Sequence, residues 1–417
     1  MSRCGLDFGT SNSAVALPTG EVLLVEHQSR LSRSVLFFPE DTVEVLAGGG
    51  AIERYLEDNA GRFIQSMKTW LPSTTFTRTQ IRNRTLLLED LIAIFLRSLR
   101  TRAGEALGTE LTEVVMGRPA RFSTDATADA FAEERLRKAA ELAGFSQVSF
   151  VIEPIAAALA YEATLKRDEL VLVADFGAGT SDLTLMWLGP ERRVKGDRRL
   201  DVVASNGVYV GGDRFDAAIM KHKLLPYFGQ GTTYEVGFKR MPIPTYVLSR
   251  LLSWNEMSLI RERSTRELID QMLKNSDGIP AIEALHDLVM YNLGYRLYRA
   301  IEQAKIELST KKHALVVFDD ERVHVEEKIT RAEFDRFCAP LIDELEVCTD
   351  ALLARAPRDL KIDSVFLTGG SSQIPSVRAL FARKFGENRL RTADAFTSVA
   401  EGLGRAAASA FKLSAER

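Results

Sequence analysis

Cysteine, histidine and tryptophan are scarce in this chain of 417 residues, which contains three, five and three of them respectively. The cysteines are odd in number and show no C-x-x-C spacing, so they predict neither a disulfide framework nor a zinc site. The histidines are scattered without the spacing of an H-E-x-x-H motif, which argues against a transition-metal centre. This composition favours a reducing compartment, and we expect the cytoplasm.

We also expect neither a membrane-spanning apolar run nor a secretory leader. The N-terminus enters a strand by Gly5 without a basic segment or an apolar segment of the signal-peptide kind. The longest apolar runs are too short to span a bilayer. A net charge of -3 and a pI near 6.1 give no electrostatic reason to expect nucleic acid, and the basic stretches at 97–102 and 261–266 are interpreted as solvated helix faces. We therefore expect neither a membrane nor a nucleic acid as partner.

One hairpin pattern occurs twice in the chain. The copies are LDFGTSNSAVAL at 6–17 and ADFGAGTSDLTLM at 174–186. Each copy predicts a strand, an Asp-Phe-Gly sequence, a short polar turn and a second strand of alternating apolar residues. Such a turn directs backbone N–H groups into one small space, where anionic oxygens bind. Each Asp is a hard-oxygen ligand suited to hydrated Mg²⁺. The duplication predicts a nucleoside triphosphate held from both sides.

Hydrophobic residues make up 46% of the chain and charged residues 27%, which is typical of a globular protein of two lobes of roughly 150 to 200 residues. Both halves begin with the same hairpin and then alternate strands with helices. This order predicts a duplicated α/β architecture with a ligand cleft between the copies.

Local patterns predict individual elements. A strand is expected at 21–26, helices at 89–106, 125–143, 155–163 and 213–223, and a break at Glu153 and Pro154 before the third of these helices. Thr330 and Glu333 form a predicted capping box. One long amphipathic helix is expected at 282–308, because apolar residues recur along one stripe, at Leu285, Val289, Leu293, Leu297, Ile301, Ala304 and Leu308.

The motifs together resemble the nucleotide-binding domain of the DnaK family of heat-shock chaperones, which has the actin and sugar-kinase fold. The resemblance covers nearly the full length, and the overall pattern is most similar to the YegD-like group. It is carried by GLDFGTSNSAVA, IQSMKTWL, VVMGRPARF, VIEPIAAALAYE, VLVADFGAGTSDLT, SNGVYVGGDRFDAAI, EQAKIELS, VFLTGGSSQIPSV and FTSVAEGLGRAA. It implies a duplicated actin-like ATPase fold, ATP or ADP with Mg²⁺ as ligands, and client proteins or co-chaperones as partners.

The resemblance also implies roles for individual residues. The catalytic group is Lys68, Glu153, Asp175 and Thr180, with Lys68 at the γ-phosphate and Glu153 and Asp175 near the attacking water. Asp7 and Asp175 would hold Mg²⁺ through water. The nucleotide-binding residues are Gly9, Thr10, Ser11, Asn12, Gly177, Ala178, Gly179, Gly211, Gly212, Glu302, Lys305, Ser309, Gly369, Gly370, Ser371 and Gln373. Within this set, Glu302, Lys305 and Ser309 share one helix face and are expected to reach the adenosine together.

Several positions depart from the family pattern. Gln373 stands where the family often has an arginine stacked on adenine, Phe396 replaces a common aspartate, and Thr127 replaces an arginine that relays nucleotide state. The short spacing from Lys68 to Pro119 predicts a trimmed subdomain. After Arg417 we expect neither the interdomain linker nor the β-sandwich peptide-binding domain of the chaperones.

The predicted division has three parts. Lobe I comprises 1–168 and 390–417, the base of lobe II comprises 169–215 and 312–389, and the outer part of lobe II comprises 216–311 with an insertion at about 225–280. Aromatic residues of this insertion, interleaved with Pro242 and Pro244, form either a partner-binding surface or a private core. These residues are Tyr234, Phe238, Tyr246 and Trp254.

The sequence is compatible with three functions. The first is a slow, Mg²⁺-dependent ATPase that acts as a chaperone-like nucleotide switch. The second is a small-molecule kinase of the same fold, although no obvious carboxylate base faces a second-substrate pocket. The third is an actin-like filament ATPase. A protein kinase is excluded, because its Asp-Phe-Gly motif would follow a catalytic H-R-D loop, which this chain lacks.

Overall fold

A computed structural model describes residues 2–58, 60–193, 198–253, 257, 260, 262–357, 360–392 and 396–408. These residues form two compact units. The first lies within Met1–Gly211, Glu344–Ser372 and Val377–Arg417, and the second within Gly212–Asp343 and Gln373–Ser376. The three-part division expected from the sequence is finer than this and stays a prediction. Among the described residues, none of the helices has the length and apolar character needed to cross a membrane.

The elements up to residue 211 all belong to the first unit. They are β1 Ser2–Phe8, β2 Asn12–Ala16, β3 Ser32–Arg33, β4 Leu36–Pro39, β5 Leu46–Ala47, α1 Gly49–Glu57, β6 Gly61–Ile64, β7 Arg78–Ile81, β8 Arg84–Leu87, α2 Leu88–Leu107, β9 Leu111–Arg118, α3 Ala126–Leu142, β10 Gln147–Ile152, α4 Glu153–Glu162, β11 Glu169–Phe176, β12 Ser181–Leu188, α5 Pro190–Arg193 and β13 Val202–Val208.

The second unit follows in the chain, and the first resumes after it. The elements are α6 Gly212–Ile219, β14 Thr233–Val236, β15 Lys239–Pro242, α7 Thr245–Arg250, α8 Arg263–Lys274, α9 Pro280–Met290, α10 Gly294–Thr310, β16 His313–Asp319, β17 His324–Thr330, α11 Arg331–Leu353, β18 Ser364–Thr368, α12 Pro375–Phe385, β19 Leu390–Thr392 and α13 Ser398–Ala408.

The predicted duplication appears as two five-stranded mixed sheets with the same plan, both in the first unit. One has the strand order β3-β2-β1-β9-β10 and the other β13-β12-β11-β18-β19. In each sheet the repeated hairpin is antiparallel, and its first strand pairs in parallel with the next strand of the order. The carboxyl ends of the parallel strands therefore lie at the same edge as the polar hairpin turns, which is where ligands bind in such sheets.

Two large apolar clusters of described residues stabilise the first unit. One packs α2 and α3 on the first sheet, with Phe8, Phe95 and Leu136 among its buried members. The other contains small residues of α4 and α13 together with residues of both sheets, such as Val173 and Phe366. Because α4 contacts strands of both sheets and α13 packs on α4 and on the first sheet, the two helices fix the two hairpin turns on one rigid frame.

The predicted single helix at 282–308 is wrong, since the chain forms α9 and α10 with a break between them. Asn292 adopts a left-handed conformation with φ of 55°. Asparagine tolerates this conformation and ends helices in the way glycine does. All members of the predicted stripe are nevertheless buried, because the second helix resumes with its apolar face directed to the same core.

Other boundaries also differ from expectation. The strand predicted at 21–26 is absent, and only isolated bridges form there, at Val22 and Glu26. Glu153 and Pro154 do not interrupt the chain but form the first turn of α4, where proline needs no hydrogen-bond partner. The helix expected at 213–223 changes to a π-helix after Ile219. The helices at 89–106 and 125–143 and the capping box of Thr330 and Glu333 are confirmed.

The aromatic residues of the insertion do not behave as one group. Tyr234 is buried, whereas Phe238, at the tip of the β14–β15 hairpin, is fully exposed and Tyr246 is about half exposed. Trp254 lies outside the described residues. The private-core interpretation therefore fits Tyr234, and the surface interpretation fits Phe238 and Tyr246.

Candidate functional site

The first hairpin turn is rigidly built. Asp7 lies on β1, Gly9, Thr10 and Ser11 form the turn, and Asn12 begins β2. A Cβ on Gly9 would clash with the carbonyl oxygen of Asn12, so this turn requires glycine. Ser34, which the sequence analysis did not select, donates from Oγ to the Gly9 carbonyl over 2.7 Å and from its amide to the Ser11 carbonyl over 3.0 Å.

The second hairpin turn is closed by a hydrogen bond of 2.9 Å from the Gly177 amide to the Thr180 carbonyl. Gly211 passes so close that a Cβ on it would overlap the carbonyl group of Ala178. Thr10 Oγ1 of the first turn lies 4.0 Å from the position of a Cβ on Gly179. The two predicted phosphate turns thus approach each other within the first unit.

Lys68 and Glu153 form a buried ion pair beside these turns. Lys68 lies in the 3-10 helix Met67–Trp70, which follows Ser66 in a left-handed conformation with φ of 52°. A non-glycine residue in this conformation is uncommon, and such residues cluster at functional sites. Glu153 begins α4, and its Cγ lies 3.1 Å from the position of a Cβ on Gly117, so β9 leaves room for the carboxylate.

Three aspartates lie near the Lys68–Glu153 ion pair. Burial, reinforced by the charge of Glu153, raises the pKa of Asp7 and of Asp182 to about 7 and the pKa of Asp175 well above its usual range. Burial alone would lower the pKa of Lys68, but the carboxylates of Glu153 and Asp7 outweigh it and the pKa of Lys68 is raised. Four carboxylates therefore surround one ammonium group, leaving an excess of negative charge.

Asp182 was missed in the sequence, although a signal existed. It lies on β12, where its Oδ2 accepts a hydrogen bond of 3.0 Å from Thr180 Oγ1 and its Oδ1 one of 3.3 Å from the Ala120 amide. Aspartate is unfavourable inside a strand, and the S-D-L-T-L-M pattern places it among apolar neighbours. An acidic residue in that position indicates a role other than strand formation.

The donor set fits a hydrated divalent cation. The excess of carboxylates around Lys68 would be offset by two positive charges, and carboxylate oxygens suit Mg²⁺. Thr368, which pairs with Asp175 in the sheet, has a buried Oγ1 without a hydrogen-bond partner among the described residues. No group of three or more His, Cys, Asp or Glu side chains in the described ranges is arranged to hold a metal ion directly.

The turn after β18 adjoins the second hairpin. Gly369 has φ of 80°, and a Cβ on it would overlap the backbone of Phe176. Ser371 is buried, and Ser372 donates from Oγ to the Gly369 carbonyl over 2.6 Å. The predicted residues Gly369, Gly370 and Ser371 are thus in the same part of the first unit as Gly177.

The remaining predicted residues lie in the second unit. Glu302, Lys305 and Ser309 are on α10, Gly212 begins α6, and Gln373 ends the 3-10 helix Gly370–Gln373. Lys305 donates to Asp216 Oδ2 over 2.7 Å and to the Gly212 carbonyl over 3.2 Å. Burial lowers the pKa of Lys305, but the charge of Asp216 outweighs it and raises that pKa. Asp216 is a partner that the sequence analysis did not identify.

Comparison with known proteins decides the family. The model of the family described as Hsp70 protein matches residues 71–236 and 267–414, which is more than half of the chain. The chain belongs to the Hsp70 family. Its two mixed sheets are those of the actin-like ATPase fold of this family, so the predicted fold is confirmed.

The chain is also similar to individual Hsp70-family proteins. The chain is 28% identical over 413 residues to the chaperone protein DnaK of Thermosipho africanus, covering 95% of this chain and 57% of the relative. It is 29% identical over 409 residues to the chaperone protein DnaK of Halobacterium salinarum, covering 95% of this chain and 54% of the relative. The chain therefore spans about half the length of the curated relatives it matches.

The acidic site of this Hsp70-family chain predicts an unusual dependence of stability on pH. Between the ordinary aspartate pKa of 3.8 and the raised value of about 7, the folded state binds more protons at Asp182 than the unfolded state does. Stability without ligands therefore falls as pH rises through this window. We expect Asp182→Asn to stabilise the protein at pH 8, by up to about 4 kcal/mol at roughly 1.4 kcal/mol per pKa unit, and to have little effect near pH 4.

Thermal melts in EDTA from pH 4 to 8 measure this difference. Glu321→Gln, at an exposed position, is the control and should change the melting temperature equally little at every pH. An Asp182→Asn variant that is less stable than wild type at pH 8 contradicts the prediction.

Proposed function

We propose that this chain binds ATP with Mg²⁺ and hydrolyses it slowly, and that it acts as a chaperone-like nucleotide switch. The observation that carries the proposal is the Lys68–Glu153 ion pair with Asp7, Asp175 and Asp182 around it, placed beside two glycine turns that approach each other. The turns suit phosphate oxygens, and the lysine suits the negative charge that spreads in phosphoryl transfer.

Each group has a proposed part in the reaction. Backbone amides of residues 9–12 and 177–180 bind phosphate oxygens, with Thr180 held in place by Asp182. Lys68 stabilises charge on the transferred phosphoryl group. Glu153 and Asp175 orient the attacking water. Mg²⁺, held through water by Asp7 and Asp175, would supply the positive charge that offsets the phosphates.

Finer assignments are part of the same proposal. As the resemblance implies, we assign Gly211 and Gly212 to a third approach of backbone to phosphate, and Gly369 to the nucleotide. We assign Glu302, Lys305 and Ser309 to the adenosine, Gly370 and Ser371 to the nucleoside, and Gln373 to the position of the base contact. We retain the YegD-like group and the three-part division into 1–168 with 390–417, 169–215 with 312–389, and 216–311. The family match supports the nucleotide site.

Release of phosphate from ATP, measured with Mg²⁺ and with EDTA, tests the activity. Turnover with Mg²⁺ alone, without a second substrate, supports the proposal. Turnover that requires an added sugar or acid would instead identify a small-molecule kinase. A rise in light scattering on addition of ATP would identify a filament protein. The absence of ATP binding would overturn the proposal.

We further propose that the tip of the β14–β15 hairpin contacts a partner protein. Val236, Phe238 and Met241 are exposed there, beside the exposed cations Lys239 and Arg240. An exposed aromatic residue between apolar and basic neighbours is suited to an apolar segment flanked by acidic residues. Arg240 pairs with Glu235 of the same hairpin over 3.8 Å, and Lys239 leaves the tip with one net positive charge, which favours an acidic polypeptide as the occupant.

Binding of a fluorescent peptide of alternating leucine and glutamate tests the hairpin. We expect Phe238→Ser to weaken binding by about 30-fold, the effect of a typical contact hot spot, with unchanged ATP hydrolysis and melting temperature. Tyr234→Ala, on the same hairpin but buried, should lower the melting temperature instead. Equal peptide affinity of the wild type and Phe238→Ser would exclude the tip as the contact.

A further inference from the structure

Arg135, on α3, holds the segment of the chain that carries Lys68. Its Nη1 donates to three carbonyl oxygens of that segment, at 3.2 Å to Trp70, 3.2 Å to Leu71 and 3.1 Å to Ser73. Trp70 is the last residue of the 3-10 helix that contains Lys68. Carbonyl groups at the end of a helix need donors, and a cation is favoured there. The guanidinium group therefore closes the end of this short helix.

The guanidinium group is itself fixed in place. Arg135 is buried, and its Nε donates to Glu89 Oε1 over 2.6 Å, in the first turn of α2. The Phe131 ring covers the group, with its centroid 5.1 Å from Cζ. A hydrogen bond between two charged groups is strong, and the planar fork of arginine fixes the direction of its donors. Arg135 thus joins α2, α3 and the 3-10 helix rigidly.

Few directional contacts hold the Lys68 segment apart from those of Arg135. Among the described residues, the hydrogen bonds that join residues 67–73 to other helices or strands are the three from Arg135 and the one between Lys68 and Glu153. Met67 and Leu71 pack into the apolar core. Apolar packing is not directional, so the orientation of the segment depends mainly on the hydrogen bonds.

The segment is also held in an unfavourable conformation. Ser66, two residues before Lys68, has φ of 52°, and its Oγ is buried without a hydrogen-bond partner in the part of the chain that the structure describes. Arg135 Nη2 is likewise buried and unpaired there. Such costs persist only where the surrounding structure determines the conformation strongly, and they cluster at functional sites. The segment therefore needs an anchor to keep its shape.

We propose that Arg135 is a positioning residue of the ATPase site, and that it acts through Lys68 by fixing the helix from which this lysine reaches Glu153. The inference rests on the proposed function, because Arg135 has this part only if Lys68 stabilises charge on the transferred phosphoryl group. A shift of about 1 Å at a reacting group can lower a rate by about 10²-fold. Nucleotide affinity should be far less sensitive, since none of the hydrogen bonds of Arg135 reaches the two glycine turns.

Single-turnover hydrolysis of ATP by the full chain with Mg²⁺, together with calorimetric titration of ADP, tests this inference. We expect Arg135→Met to lower the hydrolysis rate by about 10- to 100-fold and to change ADP affinity by less than about threefold. Arg135→Lys keeps a cation that can donate to the carbonyl groups, so its rate should lie within about fivefold of the wild-type rate.

A double variant separates positioning from general damage to the fold. If Arg135 acts only through Lys68, adding Arg135→Met to Lys68→Ala should lower the remaining rate by less than about twofold. Arg198→Met is the matched control, because Arg198 is also buried in the first unit and bonds to two carboxylates, of Glu162 and Asp201. It should lower the melting temperature and leave the hydrolysis rate unchanged.

Three outcomes would overturn the role of Arg135 while the ATPase proposal stands. They are a wild-type rate for Arg135→Met, an equal fall for Arg198→Met, and a further fall of about tenfold or more in the double variant. If melting shows that Arg135→Met does not fold, Glu89→Ala takes its place, because it removes only the carboxylate that orients the guanidinium group. Its rate should fall by about threefold or more, and an unchanged rate overturns the inference. A wild-type chain that does not hydrolyse ATP overturns the proposed function and this inference with it.

Discussion

Lys68→Ala is expected to reduce the rate of ATP hydrolysis by about 10²- to 10³-fold, the usual effect of removing one charge-stabilising group from an active site. Lys68 is the one ammonium group among Asp7, Glu153, Asp175 and Asp182 in the described site, so no neighbouring cation there can replace it. ATP affinity should change by only a few-fold, because the two glycine turns that suit the phosphates remain intact.

The loss of Lys68 also removes the partner of Glu153, so folding must be checked alongside activity. Phosphate release and nucleotide-induced shifts of the melting temperature, measured on the same sample, separate the two effects. Lys328→Ala, at an exposed lysine on β17, is the control and should hydrolyse ATP at the wild-type rate. A Lys68→Ala variant with undiminished turnover would contradict the catalytic assignment.

The second large effect concerns stability. Gly402→Ala places a methyl group into the carbonyl group of Ala156, where α13 meets α4. Gly402 is buried and Ala156 is fully buried, and the methyl group would meet backbone atoms, so no flexible side chain can move aside. The helices must separate, and we expect a loss of unfolding free energy on the order of 3–5 kcal/mol.

Denaturant unfolding monitored by circular dichroism measures this loss. Gly50→Ala is the matched control, because a Cβ at that helical glycine meets nothing within 4 Å. It should be neutral or stabilise the protein by about 0.5–1 kcal/mol, since alanine favours the helix. If the Gly402→Ala and Gly50→Ala variants unfolded at similar denaturant concentrations, α13 and α4 would be able to adjust to a methyl group, and the prediction would be wrong.

The sequence predicted the repeated hairpins because their evidence is local. Asp7 and Asp175 each precede a glycine turn between strands, and such strands and turns are determined by near neighbours. The break at Asn292 was missed, because the apolar stripe continues in phase on both sides of it and outweighed the weak helix-ending signal of Asn-Leu-Gly.

The proposed catalytic group could not be derived from local pattern alone. Lys68 and Glu153 are 85 residues apart and meet only in the folded chain. Their pairing was accessible through resemblance to a family, whereas Asp182 was missed because no family role was assigned to it. Its hydrogen bond from the Ala120 amide connects positions 62 residues apart, whose proximity the sequence does not encode in any periodicity.

The close approach of α13 to α4 has a geometric consequence. Glu153 begins α4, and α13 also packs on β1, which carries Asp7, so closely that a Cβ on Gly5 would overlap the backbone of Gly404. Both contacts are between backbones, so the spacing of the elements that carry these two carboxylates does not depend on the size of the side chains around them. Substitutions among those side chains can therefore accumulate while the two elements keep their spacing.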